Sequence, residues 1–171
     1  MILKNYWTLL NKISTLANPD TNTTGAVKSL TGTDISFQCG ANNNAYGMKN
    51  VINNSNLKGN ISFVIGTGNT PPEFDDYCLE NDITSSISNA NFSLATTESE
   101  EGARVVYIYS GTNNAENEIT ITEIGISKEL YEGTSTISVS GTTLLVREIL
   151  GTPITVPAGQ GFVVTFEWNE G

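Results

Sequence analysis

Apolar residues at the start of the chain recur with the period of a helix. Five of them, at positions 2, 6, 9, 13 and 16, follow one another at intervals of four or three residues, which is the spacing of one face of an α-helix. We expect Asn18-Pro19-Asp20 to end this helix, because proline cannot continue a helix and disfavours the α conformation of the residue before it. The apolar stripe consists of Ile2, Leu3, Tyr6, Trp7, Leu9, Leu10, Ile13 and Leu16.

A helix of this length is only marginally stable on its own. Its apolar stripe must therefore be covered, and the residues allow three ways of covering it. The helix can pack on its own domain, bundle with sister copies of the chain, or bind another protein.

The rest of the chain carries short segments in which apolar and polar residues alternate. In the last of them every second residue from Phe162 to Trp168 is apolar, as in an antiparallel strand with one buried face. Ser140-Gly141 stands between two such segments and is typical of a hairpin turn. The predicted strands are 26–30, 34–38, 46–52, 60–65, 103–110, 118–127, 134–140, 142–150, 153–156 and 161–168.

Residue usage supports the same fold class. Val, Ile and Thr number 48 against nine Ala, and side chains branched at Cβ suit a pleated sheet better than a helix. We therefore predict an all-β fold, an antiparallel β-sandwich or jelly-roll-like domain preceded by a short amphipathic helix. We place the helix in residues 1–18, an Asn-, Gly- and Thr-rich lead-in with short strands in 19–58, and the sandwich in 59–171.

The charge of the chain limits its partners. The formal net charge is −10 and there is no histidine, the usual base for proton transfer near neutral pH and the commonest metal ligand. A nucleic-acid partner is not expected, because binding to phosphates requires cationic side chains. No membrane partner is expected either, since no apolar run approaches the roughly 20 residues of a membrane span.

Acidic residues are concentrated in one part of the chain. Residues 59–103 contain eight Asp and Glu and no Lys or Arg. The cluster at 73–82 would suit a hard cation such as Ca²⁺, but its spacing matches no helix-loop-helix calcium site, and we interpret it as a solvated loop without a metal. A pair of glycosidase carboxylates is not predicted, because no second acidic site is flanked by aromatic residues. We expect no catalytic residues and no cofactor.

A few isolated residues also lead to predictions. Cys39 and Cys78 match no Cys-x-x-Cys pattern, and a domain built on disulfides would carry more cysteines, so we expect two free, half-buried thiols. The Gly-x-Gly at 66–68 lacks the third glycine of a dinucleotide-binding motif and is interpreted as a turn. Glu123 lies within an apolar strand, and Arg147 lies in the next predicted strand but one. We predict a buried or edge ion pair between them, because a charge inside a sheet needs a partner.

Two segments resemble a module that recurs in small virion proteins of bacteriophages. Residues 65–79 read IGTGNTPPEFDDYCL, and residues 119–168 contain ITITEIGI and LLVREILGTPITVPAGQGFVVTFEW. Similar modules occur in tail, baseplate, head-fibre and capsid-decoration proteins. The resemblance assigns the matching positions to the fold rather than to chemistry, and they are Asp76, Leu79, Glu123, Gly125, Arg147, Pro153, Pro157 and Gly159.

The resemblance implies a non-enzymatic protein of the virion, assembled in the cytoplasm of the host bacterium. We expect a homotrimeric head or tail fibre or spike, attached to other capsid or tail proteins by its N-terminal helix and able to contact a host-surface glycan or protein. A capsid-decoration (cement) or baseplate protein is the alternative. A carbohydrate-binding β-sandwich module is the second alternative, and exposed Tyr or Trp residues in a row would favour it.

Overall fold

The described part of the chain is all-β with one short α-helix, as the sequence predicts. The computed structural model describes residues 1–14, 23–39, 61–99, 102–132 and 138–170. In chain order the elements are α1 (Lys4–Ser14), β1 (Thr23–Lys28), β2 (Asp34–Cys39), β3 (Ile61–Gly66), a 3-10 turn (Thr84–Ser86), β4 (Ile87–Ser99), β5 (Gly102–Asn113), β6 (Ile119–Glu132), β7 (Ser138–Val156) and β8 (Gly161–Glu170).

The strands pair antiparallel in two three-stranded sheets and one hairpin. The first sheet has the order β3-β6-β7, the second has the order β4-β5-β8, and β1 pairs with β2. The two sheets face each other across an aromatic core, in which Phe63 of β3 stacks on Tyr109 of β5 with ring centroids 4.9 Å apart. The core continues on the second sheet through Phe92, Tyr107, Phe162 and Phe166. This arrangement is a β-sandwich, and its jelly-roll character stays a prediction.

Helix α1 packs on its own domain. Leu3 just before it, and Tyr6 and Leu9 within it, are fully buried, and the helix contacts β1 and β7. Asn5 fixes its position, because the side-chain amide donates to the carbonyl of Lys28 at 3.0 Å and the side-chain oxygen accepts the N–H of Lys28 at 3.2 Å. The chain's own domain therefore covers the part of the apolar stripe formed by Leu3, Tyr6 and Leu9.

Two features of the strands differ from the sequence prediction. Strand β4, with the sequence ISNANFSLATTES, is not among the predicted strands, because most of its residues are small and polar and its alternation is weak. Ser140-Gly141 is not a hairpin turn but lies inside β7, where Leu130 is opposite Gly141 while Tyr131 is opposite Val139. This register shift is a β-bulge, for which a Ser-Gly pair is as suitable as for a turn. The predicted strand at 46–52 lies outside the described residues.

Pro153 occupies an interruption in β7. The pairing with β6 passes from Ile149 directly to Ile154 on β7, so the predicted strands 142–150 and 153–156 are two parts of one element. Pro153 is exposed there, and an interruption suits proline because proline has no N–H to donate to a neighbouring strand.

The turn between β7 and β8 contains two further residues of the resemblance. Gln160 donates its N–H to the carbonyl of Pro157 at 3.1 Å, and Gly159 between them has a φ of +71°. This is the pattern of a type II turn, whose third residue requires a positive φ and therefore favours glycine. Asn113 at the end of β5 holds the turn, because its carbonyl accepts the N–H of Gly159 at 2.8 Å.

Candidate functional site

The loop that follows β3 closes around the carboxylate of Glu123. This side chain, on β6, has no exposed surface, and a buried carboxylate needs hydrogen-bond donors. Its Oε1 accepts the backbone N–H groups of Gly68 at 3.0 Å and Asn81 at 2.9 Å, and its Oε2 accepts that of Glu80 at 3.2 Å. The chain from residue 66 to residue 82 is thereby wrapped around one carboxylate.

Gly66 and Gly68 leave the space that this carboxylate fills. A Cβ atom at either position would lie 2.5 Å from Oε1 of Glu123, which is closer than non-bonded atoms approach each other. The interpretation of the Gly-x-Gly as a turn was therefore incomplete. The glycines permit a close approach of side chain and backbone, and the signal in the sequence is a Gly-x-Gly after one strand together with a carboxylate inside another.

Arg147 of β7 completes the cluster. Its guanidinium donates from Nε to Oε2 of Glu123 at 3.0 Å, from Nη1 to Oδ2 of Asp76 at 2.6 Å, and from Nη2 to the carbonyl of Thr70 at 3.2 Å. The side chain of Arg147 is 4% exposed and that of Glu123 is 0% exposed. The predicted Glu123–Arg147 ion pair is confirmed, and the structure adds Asp76 as a second carboxylate.

The guanidinium of Arg147 keeps its charge although it is buried. Burial alone would lower the pKa of Arg147, but the hydrogen bonds to Asp76 and Glu123 outweigh this effect and the pKa is raised. The N–H groups of Thr70 and Asn69 lower the pKa of the exposed Glu80 carboxyl, which accepts both at 2.8 Å. Since Glu123 has no surface through which to meet a substrate, the arrangement acts as a lock that joins the loop to β6 and β7.

Two other residues of the resemblance pack beside this lock. Gly125 lies opposite both Val64 of β3 and Arg147 of β7, and a Cβ there would be 2.8 Å from Cδ1 of Leu144. Leu79 is buried in a small cluster with Leu3, Val64 and Leu144. The loop is therefore held by apolar contacts as well as by the ion pairs.

The outer side of the locked loop carries exposed aromatic side chains. Phe74 is 50% exposed and Tyr77 is 38% exposed, and Trp7 on the neighbouring helix is 48% exposed. Lys4 joins the two elements, because its backbone N–H donates to the carbonyl of Phe74 at 2.9 Å and its Nζ lies 2.9 Å from Oδ1 of Asp75. We call Trp7, Phe74 and Tyr77 the aromatic surface.

The predicted anchor stripe of α1 is divided between the core and the surface. Ile2 is half-buried and forms a β-bridge with Val146, whereas Trp7 is exposed. The members buried in the chain's own core are Leu3, Tyr6 and Leu9. The remaining members, whose side chains lie outside the described residues, are Leu10, Ile13 and Leu16.

The acidic loop and its cysteine show no further reactive centre within the described ranges. Cys78 is a free, half-buried thiol, and its pKa is raised by burial and by the nearby Asp76; the side chain of Cys39 lies outside the described residues. Among those residues no group of three or more His, Cys, Asp or Glu side chains is placed to hold a metal ion. No helix in the described part of the chain is long and apolar enough to cross a membrane.

Comparison with known proteins identifies no relative of this chain. No family model, curated protein or solved structure matches the chain.

Proposed function

We propose that the protein is a non-enzymatic structural subunit of a bacteriophage particle. The proposal rests on the resemblance of residues 65–79 and 119–168 to phage virion proteins. One observation supports it, namely that the two segments contact each other through the motif residues themselves: Arg147 binds Asp76, which lies 71 positions away in the sequence. If the two segments belong to one structural module, their motif residues should contact each other, as Asp76 and Arg147 do.

The burial of the helix bears on whether the subunit is a trimeric fibre or a monomer that attaches to the particle. The sequence leads us to expect a homotrimeric head or tail fibre or spike bundled through its helix. Leu3, Tyr6 and Leu9 are instead buried in the chain's own core, so they have no surface to offer to a sister helix. This favours the alternative, a capsid-decoration or baseplate subunit that attaches to the particle through its exposed surface, with capsid or tail proteins as partners.

The test locates the protein in particles. Antibodies raised against the purified chain are applied to phage particles banded from a lysed host culture and viewed by immunogold electron microscopy. We expect gold at regular positions on the head or tail, and peptides of this chain in the mass spectrum of the same particles. Absence of both from banded particles would refute the proposal. Serum absorbed with the purified protein is the control.

Light scattering of the purified full chain separates the two forms. A mass of 18.3 kDa supports a decoration or baseplate subunit that is monomeric before attachment. A mass three times as large supports the homotrimeric fibre or spike, assembled through a surface other than the buried face of α1.

A further inference from the structure

We propose that β8 is a docking edge for a second copy of this chain, which pairs with it antiparallel through its own β8. The pairing joins two three-stranded sheets into one sheet, with a twofold axis between the two copies of β8. Such a pair is closed, because both partners present the same edge to each other. It requires no phage particle, so it goes beyond the proposed function and does not rest on it.

Both edges of the first sheet are covered by other parts of the chain. A segment that follows the locked loop pairs with β3, where Ile83 donates its N–H to the carbonyl of Ile65 at 3.0 Å. The residues before α1 pair with β7, where Leu3 donates its N–H to the carbonyl of Leu145 at 3.0 Å. At these positions the sheet offers no unpaired backbone groups to another chain.

The two edges of the second sheet differ from each other. In the part of the chain that the structure describes, β4 and β8 each pair with β5 alone. Strand β4 contains a bulge between Ser88 and Asn91, with Asn89 at a φ of +51°, and bulges are one means by which proteins keep an edge from pairing. Strand β8 follows β5 in one unbroken register from Gly161 to Glu170 and contains no proline or lysine. Of the strands described, β8 is therefore the unprotected edge.

The backbone groups that β8 offers at this edge belong to alternate residues. Asn113 donates its N–H to the carbonyl of Gln160 at 2.9 Å, one position beyond the last pair of the β5–β8 ladder. Hydrogen-bonded and non-hydrogen-bonded pairs alternate along an antiparallel ladder, so the N–H and C=O groups of Val164 point to β5. Those of Val163 and Thr165 point the other way, and no strand in the described ranges pairs with them there.

The side chains of β8 suit an antiparallel pair centred on Thr165. In this register Thr165 lies opposite its own counterpart, Val163 opposite Glu167 of the second copy, and Val164 opposite Phe166. Thr–Thr pairs and pairs of an aromatic with a β-branched residue are favourable across strands, and Glu167 does not face its own counterpart. Val163, which is 63% exposed in the single chain, gains a neighbour.

The pairing is weak in dilute solution. The edge from Gly161 to Glu167 is about 23 Å long at ~3.3 Å per residue, and one strand edge covers far less than the roughly 800 Å² per partner of a standard interface. Each chain also has a net charge of −10, so that two copies repel each other unless salt screens the charges. Dilute protein therefore consists of single chains of 18.3 kDa, and pairing needs copies that are concentrated or held close together.

An unrelated extended peptide is the competing occupant of this edge. It would meet the same backbone groups, but its side chains would have to match those of β8 by chance. Pairing of β8 with itself matches side chains on both faces of the sheet and separates the carboxylates. A second copy consequently fits the edge better, and the purified chain alone is enough to test it.

The test is amide hydrogen exchange of the isotope-labelled full chain, followed by NMR at about 0.05 mM and about 1 mM, a range that brackets a weak dissociation constant. The amides of Val163 and Thr165 should exchange about twofold or more slowly in the concentrated sample, as expected once half of the chains are paired. The amide of Val164, which faces β5, should be slow in both. A mixture of labelled and unlabelled chains should show a nuclear Overhauser effect between the α-protons of Val164 and Phe166 in different copies, and added salt should strengthen it.

A lysine at the centre of the edge should prevent the pairing. In Thr165→Lys two ammonium groups would face each other, and the concentration dependence should disappear. Ser93→Lys is the matched control, because Ser93 and Thr165 are both exposed and both lie opposite Ile108, on the two edges of one sheet. It adds the same charge and should pair as the unmodified chain does. Mixing Thr165→Lys with Thr165→Glu should restore pairing, which also shows that both variants are folded.

Several results would overturn the inference. They are exchange at Val163 and Thr165 that does not depend on concentration, slowing at the amides of β4 instead, and equal losses in Thr165→Lys and Ser93→Lys. Failure of the Thr165→Lys and Thr165→Glu mixture to pair would also contradict it. If the chain pairs but particles lack the protein, the pairing stands and the virion proposal fails; if particles contain the protein but the chain does not pair, the reverse holds.

Discussion

Replacing Arg147 with methionine should destabilise the protein strongly, because it leaves a buried carboxylate without its cation. Methionine fills a similar volume but makes none of the three hydrogen bonds that reach Glu123, Asp76 and the carbonyl of Thr70. Glu123 keeps three backbone N–H donors, so its negative charge is partly solvated but no longer paired. Removing one partner of a buried ion pair costs about 3–5 kcal/mol, and we expect Arg147→Met to fall in this range.

The chain contains an exposed ion pair that serves as a control. Lys4 and Asp75 are 2.9 Å apart, with side chains 61% and 74% exposed, and pairs of this kind contribute about 0–1 kcal/mol. Urea unfolding followed by circular dichroism gives the free energy of unfolding of the unmodified protein, Arg147→Met and Lys4→Met. The double variant Glu123→Gln/Arg147→Met should lose less than the sum of its single variants, because the two side chains interact directly.

A second measurement reports on the loop itself. The half-buried thiol of Cys78 lies in the segment held by Arg147, so its labelling by a thiol reagent, read by peptide mass spectrometry, should be faster in Arg147→Met. A stabilising role of the Arg147 ion pairs is refuted if Arg147→Met lowers the free energy of unfolding no more than Lys4→Met does. Their role in holding the loop is refuted if the protein is destabilised while Cys78 labelling under native conditions stays unchanged, since the loop would then not depend on this cluster.

Four further predictions concern single positions. Gly68→Ala should lower the free energy of unfolding, because a Cβ would lie 2.5 Å from the buried carboxylate, whereas Gly151→Ala, with nothing within 4 Å, should not; equal losses in urea would contradict this. Tyr109→Phe should raise it by about 1 kcal/mol, because this buried hydroxyl has no hydrogen-bond partner among the described residues; a lower melting temperature would argue against it. Leu9→Ala should cost about 2–5 kcal/mol, and a loss below 1 kcal/mol in urea would mean that α1 is not part of the core. Burial lowers the pKa of Lys128 from 10.5 to about 8, so between these values its unfolded form binds more protons and its contribution to the free energy of unfolding rises with pH; in urea titrations at a series of pH values, the free energy of unfolding of Lys128→Met should therefore fall relative to that of the unmodified protein as the pH rises through this range.

A strand can be predicted from the sequence when apolar and polar residues alternate clearly along it. Strand β8 is predictable because Phe162, Val164 and Phe166 alternate with exposed residues. The alternation places these three side chains on the face of the strand that packs against the core. Strand β4 is not, because Ile87 and Phe92 are the apolar residues that the structure shows packed against the core from the described part of this strand, and the rest of its sequence resembles a loop. An edge strand with a solvated face needs little apolar surface, so its sequence carries little signal.

The candidate site was predictable in part for a similar reason. The Glu123–Arg147 pair follows from the rule that charges inside a sheet are paired, and both residues stand in recognisable apolar strands. Asp76 stands in an acidic loop where no local pattern distinguishes it from Asp75, although Asp76 binds Arg147 and Asp75 is exposed. Which carboxylate turns inward depends on the path of the loop around Glu123, and that path is fixed by contacts distant in sequence.

The helix shows why the apolar stripe alone did not reveal its role. A helix that packs on its own domain and a helix that binds a partner both need apolar residues at spacings of three and four. The structure separates these residues by position: Leu3, Tyr6 and Leu9 are buried in the core, and Trp7 is half exposed. Core packing is therefore the role of the inner residues, whereas Trp7 is half exposed to solvent. The stability of the domain should depend on the inner residues.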